Sequence, residues 1–160
     1  MGVEVHPAEE ADRPWVYEVL FPNNTPSRIA SRGMLYNPLE LPGFIASTKG
    51  KKIGLVTYRL DGEECELLTL DSTTENLGAG TALVEAVKEV AQAAGCSKVW
   101  LITTNDNTHA LRFYQRRGFR IREVRPGAVD LERETIKPEI PVIGNDGIPI
   151  TDEIELVIDF

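Results

Sequence analysis

Residues 67–83 read Leu67-Leu68-Thr69-Leu70-Asp71-Ser72-Thr73-Thr74-Glu75-Asn76-Leu77-Gly78-Ala79-Gly80-Thr81-Ala82-Leu83. The first four residues form an apolar strand. The last seven run from Leu77 straight into a helix. Glycines at i and i+2 let the backbone turn tightly and bring several N–H groups together. The helix start adds its unsatisfied N–H groups and the positive end of its dipole. Together these features make an anion cradle of the size of a phosphate or pyrophosphate. By itself a Gly-x-Gly between strand and helix is often only a turn. No Gly-Lys-Ser/Thr follows it, as a P-loop requires. Leu83 stands where a dinucleotide fingerprint needs its third glycine.

The helix that begins here continues to residue 94. Leu83, Val87, Val90, Ala91 and Ala94 recur at helical spacing, while Glu85, Lys88, Glu89 and Gln92 face outward. Gly95 ends it as a C-terminal cap. Beyond lie a buried-type strand at 98–103, a helix at 108–117 with Asn107 as its N-cap and Gly118 past its end, and a strand at 119–124. Upstream, strands at 43–48, 52–59 and 64–70 are separated by Lys49-Gly50 and Asp61-Gly62, both hairpin turns. A strand at 3–6 and a helix at 8–20 open the chain. Residues 21–42 hold Asn23, Asn24, Pro26, Gly33, Asn37 and Pro38 among scattered apolar residues. They read as a long irregular or part-helical segment, either a binding loop or a cover for the core. Antiparallel hairpins feeding one strand–helix–strand crossover require a mixed sheet. Residues 125–160 form an extension. It has a helical turn at 127–135, a stretch punctuated by Pro138, Pro141, Gly144, Gly147 and Pro149, and a final strand at 154–160.

A chain of 160 residues is expected to form one domain. Hydrophobic residues are 42% and charged residues 26%, which excludes a disordered chain or a collagen-like fibre. The longest apolar runs, such as 99–102, are too short to span a bilayer. Seventeen basic against 25 acidic residues give a net charge of −8, with no electrostatic footprint for nucleic acid or an anionic membrane. Cys65 and Cys96 are too few to staple a fold. Residues 1–10 lack the basic cap and apolar core of a secretion signal, so a cytoplasmic location with reduced thiols is expected.

The second informative stretch is Asn105-Asp106-Asn107-Thr108-His109-Ala110-Leu111-Arg112-Phe113-Tyr114-Gln115-Arg116-Arg117-Gly118-Phe119. The pattern Asn107-x-x-Ala110-x-x-Phe113-Tyr114-x-x-x-Gly118-Phe119, one crossover after the Leu77-Gly78-x-Gly80 helix start, resembles the GNAT superfamily of acetyl-coenzyme A-dependent N-acetyltransferases. The resemblance covers about residues 3–124. The tail, with Lys137-Pro138-Glu139-Ile140-Pro141 and Gly147-Ile148-Pro149-Ile150, looks like that of a bacterial branch of the superfamily. The resemblance implies an α/β fold of the acyl-CoA N-acyltransferase type, with a mixed, splayed sheet of about seven strands flanked by about four helices. It implies a single N-acetyltransferase domain over 1–160, acetyl-coenzyme A bound between strands 64–70 and 98–103, and direct acetyl transfer to an amine. The acceptor is then a small-molecule or peptide amine, with no nucleic acid or membrane partner, and the resemblance allows a homodimer.

Residue by residue, the resemblance places the coenzyme pyrophosphate on the amides of Leu77, Gly78, Ala79, Gly80 and Thr81. Glu75 departs from the family, which has Gln or Arg there; a carboxylate beside a pyrophosphate is unfavourable unless it points away. Leu70 matches the strand-end residue whose main chain pairs with the pantetheine arm and polarises the acetyl carbonyl. Asn107 matches the asparagine that contacts the same arm. Tyr114 matches the tyrosine beside the coenzyme sulfur, a general acid for the leaving thiolate; taken alone, it reads as a core aromatic. Alternation places Glu64 and Glu66 on one strand face with Leu68 and Leu70. Either could take the amine proton, and either could instead be a solvated strand carboxylate.

No metal site is expected, because His6 and His109 have no cysteine or second histidine at ligand spacing. Cys65 and Cys96 read as packing residues. Arg112, Arg116 and Arg117 form a basic patch that either meets the 3′-phosphate end of the coenzyme or balances the acidic surface. Two rival readings share these features: a non-catalytic coenzyme A-binding or interaction module on the same fold, and a cradle for a nucleotide.

Overall fold

Gly54 explains where the long helix sits. A Cβ at that position would lie 3.0 Å from Leu83 Cδ1 and 3.4 Å from Ala79 Cβ. The helix α2, Ala79–Ala93, therefore lies directly on strand β5, Lys51–Asp61. Its apolar stripe of Ala79, Leu83, Val84, Val87 and Ala91 is buried.

The computed structural model describes residues 2–73 and 77–160. They fall into two compact units. One comprises the residues up to Ile29, Asn37–Val99 and Phe160; the other comprises Ala30–Tyr36 and Trp100–Asp159. In the first unit, β1 (Glu4–Pro7), β4 (Gly43–Thr48), β5 and β6 (Glu64–Ser72) lie side by side as an antiparallel sheet. The core between helix α1 (Arg13–Leu20) and this sheet holds Leu20, Phe21, Ile45 and Leu55, with Trp15, Val16 and Val19 against them.

The second unit carries the short hairpin of β2 (Ile29–Ser31) and β3 (Met34–Tyr36), whose first residue belongs to the other unit. Strand β7, Lys98–Thr104, starts in the first unit and continues here. After helix α3 (Thr108–Arg116) come β8 (Arg120–Arg125), helix α4 (Ala128–Thr135) and β9 (Glu153–Asp159), with β8 and β9 antiparallel. The strand order of the seven-stranded sheet is β1-β4-β5-β6-β7-β9-β8, with four α-helices among the described residues. Neighbours β6 and β7 are joined through α2, the crossover that a mixed sheet needs.

Three elements differ from the sequence expectations. The helix expected over 8–20 is a 3-10 turn at Glu10–Asp12 followed by α1, because Pro14 is tolerated only in a first turn. The irregular segment 21–42 contains the β2–β3 hairpin between the 3-10 turns Pro22–Asn24 and Pro38–Glu40. Three-residue strands around an Arg-Gly turn carry too little alternation to be read. In the final strand the spacing of Ile154, Leu156, Ile158 and Phe160 predicts apolar–polar alternation with one covered face. Instead Glu153, Glu155, Leu156 and Val157 of β9 are all buried, so both faces of the strand are covered.

Candidate functional site

In the first unit the site residues descend from β6. The pairing with β5 shifts by one residue: Thr57 faces Thr69, but Tyr58 faces Leu67. Leu68 is thus the extra residue of a β-bulge, left out of the β5 ladder. The threonine hydroxyls of Thr57 and Thr69 lie 2.6 Å apart, and Arg59 Nε donates to Glu66 Oε1 at 2.8 Å. Glu64, Glu66 and Thr69 therefore share a face, and Leu70 is on the other. Simple alternation cannot foresee this, because a bulge inverts every side chain beyond it.

Glu66 is 2% exposed and committed to the Arg59 ion pair, while Glu64 is half-buried near the start of the strand. Asp71, next to Leu70, is half-buried, and burial pushes its carboxyl above the usual range; no motif pointed to it. Burial, helped by Cys96 and Glu66, pushes the Cys65 thiol up to about 12, so it is inert as a nucleophile.

The cradle follows β6. Gly78 caps α2 with φ 79° and ψ 9°, and a Cβ there would meet nothing within 4 Å. Glycine is required here by the left-handed backbone, and the space in front of it is open. Ala79, Gly80 and Thr81 form the first turn of the helix, and Ala82 N reaches back to Gly78 O at 3.0 Å. First-turn amides have no acceptor inside their own helix, so this end fits a phosphate. Leu77 is exposed beside it. Glu75, the departure from the family pattern, lies outside the described residues.

In the second unit Asn107 caps α3: its Oδ1 accepts from Ala110 N at 3.1 Å, which leaves its amide NH₂ group available. Tyr114, on the same helix, is 6% exposed and packs edge-on against Phe113 and Phe119, with centroids 5.1 and 5.4 Å away. Both readings of this tyrosine, core aromatic and proton donor, fit that place. Arg117 folds back over the Phe113 ring at 3.6 Å and donates to Phe113 O, so it closes the helix end, while Arg112 and Arg116 remain exposed.

Other residues here carry no sequence signal. Asp106 is buried and accepts from the Thr104 hydroxyl and from Asn145 N and Nδ2. Asn105 holds Pro149, Thr151 and Asp152. The Asn105-Asp106-Asn107 run therefore clamps the C-terminal extension as well as starting α3. Glu132 and Glu153 are buried together, and each keeps an Oε2 without a hydrogen bond. Burial and the Glu153 charge push the Glu132 carboxyl up to about 7. His6 lies 3.5 Å from Asp12, which also binds Lys52. Among the described residues no three His, Cys, Asp or Glu side chains are grouped to hold a metal. No described helix is long and apolar enough to cross a membrane.

Comparison with known proteins shows the family and the fold. A model of the acetyltransferase (GNAT) family matches residues 7–119. The chain is 47% identical over 131 residues to the uncharacterized protein YdhI of Bacillus subtilis, covering 81% of each sequence. Among solved structures it resembles a Bacillus subtilis acetyltransferase in complex with CoA, with a TM-score of 0.76, 19% identity and 99% of each chain covered. It also resembles an IAA acetyltransferase from Bacillus cereus, with a TM-score of 0.73 and 20% identity over 99% of this chain and 100% of that one.

Proposed function

Because this chain belongs to the acetyltransferase (GNAT) family, we propose that it is an N-acetyltransferase that moves the acetyl group of acetyl-coenzyme A directly onto an amine. The observation that carries this reading is the open, glycine-capped start of α2, which follows a strand interrupted by a bulge. The coenzyme supplies a thioester, whose carbonyl carbon the neutral amine attacks. In this reading the amides of Leu77, Gly78, Ala79, Gly80 and Thr81 hold the pyrophosphate. The main chain of Leu70 and the side-chain amide of Asn107 hold the pantetheine arm. The bulge at Leu68 adds a backbone N–H free of the β5 ladder, a second candidate to polarise the acetyl carbonyl.

The C–N bond forms as the C–S bond breaks, and two protons must move. The Tyr114 hydroxyl gives one to the departing sulfur. The amine gives up the other through water to a carboxylate. Glu66 is 2% exposed and Glu64 only half-buried, so Glu64 is the more accessible of the two glutamates to receive it. The net charge of −8 suits a cationic acceptor, which it would concentrate near the surface.

The test is thiol release from acetyl-coenzyme A across amino acids, polyamines, aminoglycosides and peptides, beside calorimetric binding of coenzyme A and of nucleotides. Release with at least one amine is the expected result. Coenzyme binding without release would make the protein a non-catalytic coenzyme module. Preference for a nucleotide over coenzyme A would overturn the cradle assignment.

A further inference from the structure

Among the described residues, β2 and β3 form a two-stranded sheet of their own. So small a hairpin has little stability of its own. Its turn is Arg32-Gly33, with φ 49° and 77°. A turn with two left-handed central residues favours asparagine or glycine first, and arginine there is strained. The side chain compensates for the strain. Arg32 Nε and a terminal nitrogen each donate to a different Glu155 oxygen at 3.0 Å, and the guanidinium lies 3.7 Å over the Trp100 ring. Glu155 is 1% exposed and Trp100 2%, whereas the Arg32 side chain is 42% exposed. A cation therefore reaches in from a surface turn to a buried carboxylate beside an aromatic face.

Glu155 has more cations than it needs. Arg122 Nε donates to its Oε2 at 2.6 Å and Arg125 to its Oε1 at 3.1 Å. Burial alone would raise the Glu155 pKa, but hydrogen bonds from Arg32 and Arg122 outweigh it and hold the carboxyl low. If Arg32 left, two guanidinium groups would remain to keep this charge compensated. Departure of Arg32 thus escapes the large penalty of stranding a buried ion. Arg122 and Arg125 are on β8, the edge strand of the seven-stranded sheet, paired with β9 itself. Of the three arginines, Arg32 is the one outside that sheet, on the two-stranded β2–β3 hairpin.

We propose that Glu155 and the Trp100 face form a receptor for a guanidinium or alkylammonium group, that Arg32 fills it as an internal latch, and that the cationic end of the acceptor displaces Arg32. A bidentate carboxylate and an aromatic face are the two elements that recognise a planar cation. Calling the displacing group part of the acceptor rests on the acetyl-transfer reading; the receptor itself does not.

The decisive variant is Arg32→Ala in a Trp15→Phe background, which leaves Trp100 as the only tryptophan, since the chain has two. The probes are methylguanidinium and the neutral, similarly shaped methylurea, titrated by tryptophan emission without acetyl-coenzyme A. Methylguanidinium should bind the alanine variant at least about tenfold more tightly than the Arg32 protein, and methylurea should bind neither. Should the alanine variant not fold, Arg32→Lys keeps a cation on the hairpin but cannot bridge both oxygens, so methylguanidinium should still bind it more tightly than it binds the Arg32 protein. A folded variant with no gain in methylguanidinium binding, or an equal response to methylurea, would overturn the proposal and leave Arg32 a structural clamp. In the presence of acetyl-coenzyme A, 4-guanidinobutylamine should exceed butylamine about tenfold in kcat/KM on the unmodified protein. Equal rates would overturn the acceptor assignment. Absence of thiol release with every amine would count against acetyl transfer itself, and the binding titration would still decide the receptor.

Discussion

Gly80 lies one residue inside α2, in the turn whose amides are proposed to hold the pyrophosphate. On the proposed binding mode, a valine there would crowd the coenzyme phosphates while leaving most of the helix untouched. Gly80→Val is expected to weaken coenzyme A binding at least about tenfold by calorimetry, or ~1.4 kcal/mol. Unchanged affinity with an intact fold would remove the pyrophosphate from this turn. Tyr114 asks for a different readout, because it is buried among aromatic rings. Tyr114→Phe preserves the ring and deletes the proton. Coenzyme affinity and Tm should stay near those of the unmodified protein, while kcat falls about 10²-fold, the low end of what a general acid contributes. A fully active variant would make Tyr114 a packing residue. One that fails only by unfolding would show that its hydroxyl is structural. The places of both residues, in the first turn of α2 and on α3, were legible in the sequence because their motifs are local. The partners of Glu66 and Glu155 were not, since an ion pair between strands leaves no trace in either strand alone.

At the scale of elements, two glycines show how tightly pieces are pressed together. Gly54 admits α2 onto β5. Gly144 admits the C-terminal extension onto Asp106: a Cβ there would collide with the Asp106 carboxylate and lie 2.6 Å from Ile150 Cγ1. Neither neighbour can yield easily, since Asp106 is buried and bound by Thr104 and Asn145. Gly144→Ala should therefore cost about 1–3 kcal/mol, as overpacking does. For a chain of this size that lowers Tm by roughly 5 °C in a thermal melt. No change in Tm would mean the extension is held elsewhere. The sequence marks Gly144 as punctuation of the extension and passes over Gly54 inside the strand at 52–59. It gave no hint that one of them marks a contact between segments some forty residues apart, because closeness in space is decided by the sheet.

For the molecule as a whole, the acid pair Glu132–Glu153 makes stability depend on pH. Burial and the Glu153 charge raise the Glu132 pKa to about 7, above the ~4.3 of an unfolded glutamate. The folded state then holds a proton that the unfolded state has released. Its contribution is full below the unfolded value and is lost as pH rises through about 7. Glu132→Gln abolishes the titration and keeps the shape. Relative to the unmodified protein it should raise Tm by roughly 3 °C or more at pH 8 and change it little at pH 5, as ~1 kcal/mol does for a chain of this size. An equal shift at both pH values would show that the gain has nothing to do with ionisation.

The sequence by itself determined the order of strands and helices outside residues 21–42, the glycine-capped helix start, the N-cap at Asn107 and the aromatic pair beside Tyr114. Each of these is set by residues within a turn or two of one another, so periodicity and capping chemistry reveal them. Tertiary structure decided the rest. It turned Glu64 and Glu66 away from the face of Leu70 through a bulge whose register is fixed by β5, not by β6. It buried both faces of β9 and so converted an acidic strand position into the partner of three arginines. It also brought Arg32, from a segment that reads as irregular, onto Trp100 and Glu155. A charged residue tells the reader of a sequence only that its charge must be solvated or paired; which of the two holds, and with which partner, is known only when the chain has closed around it.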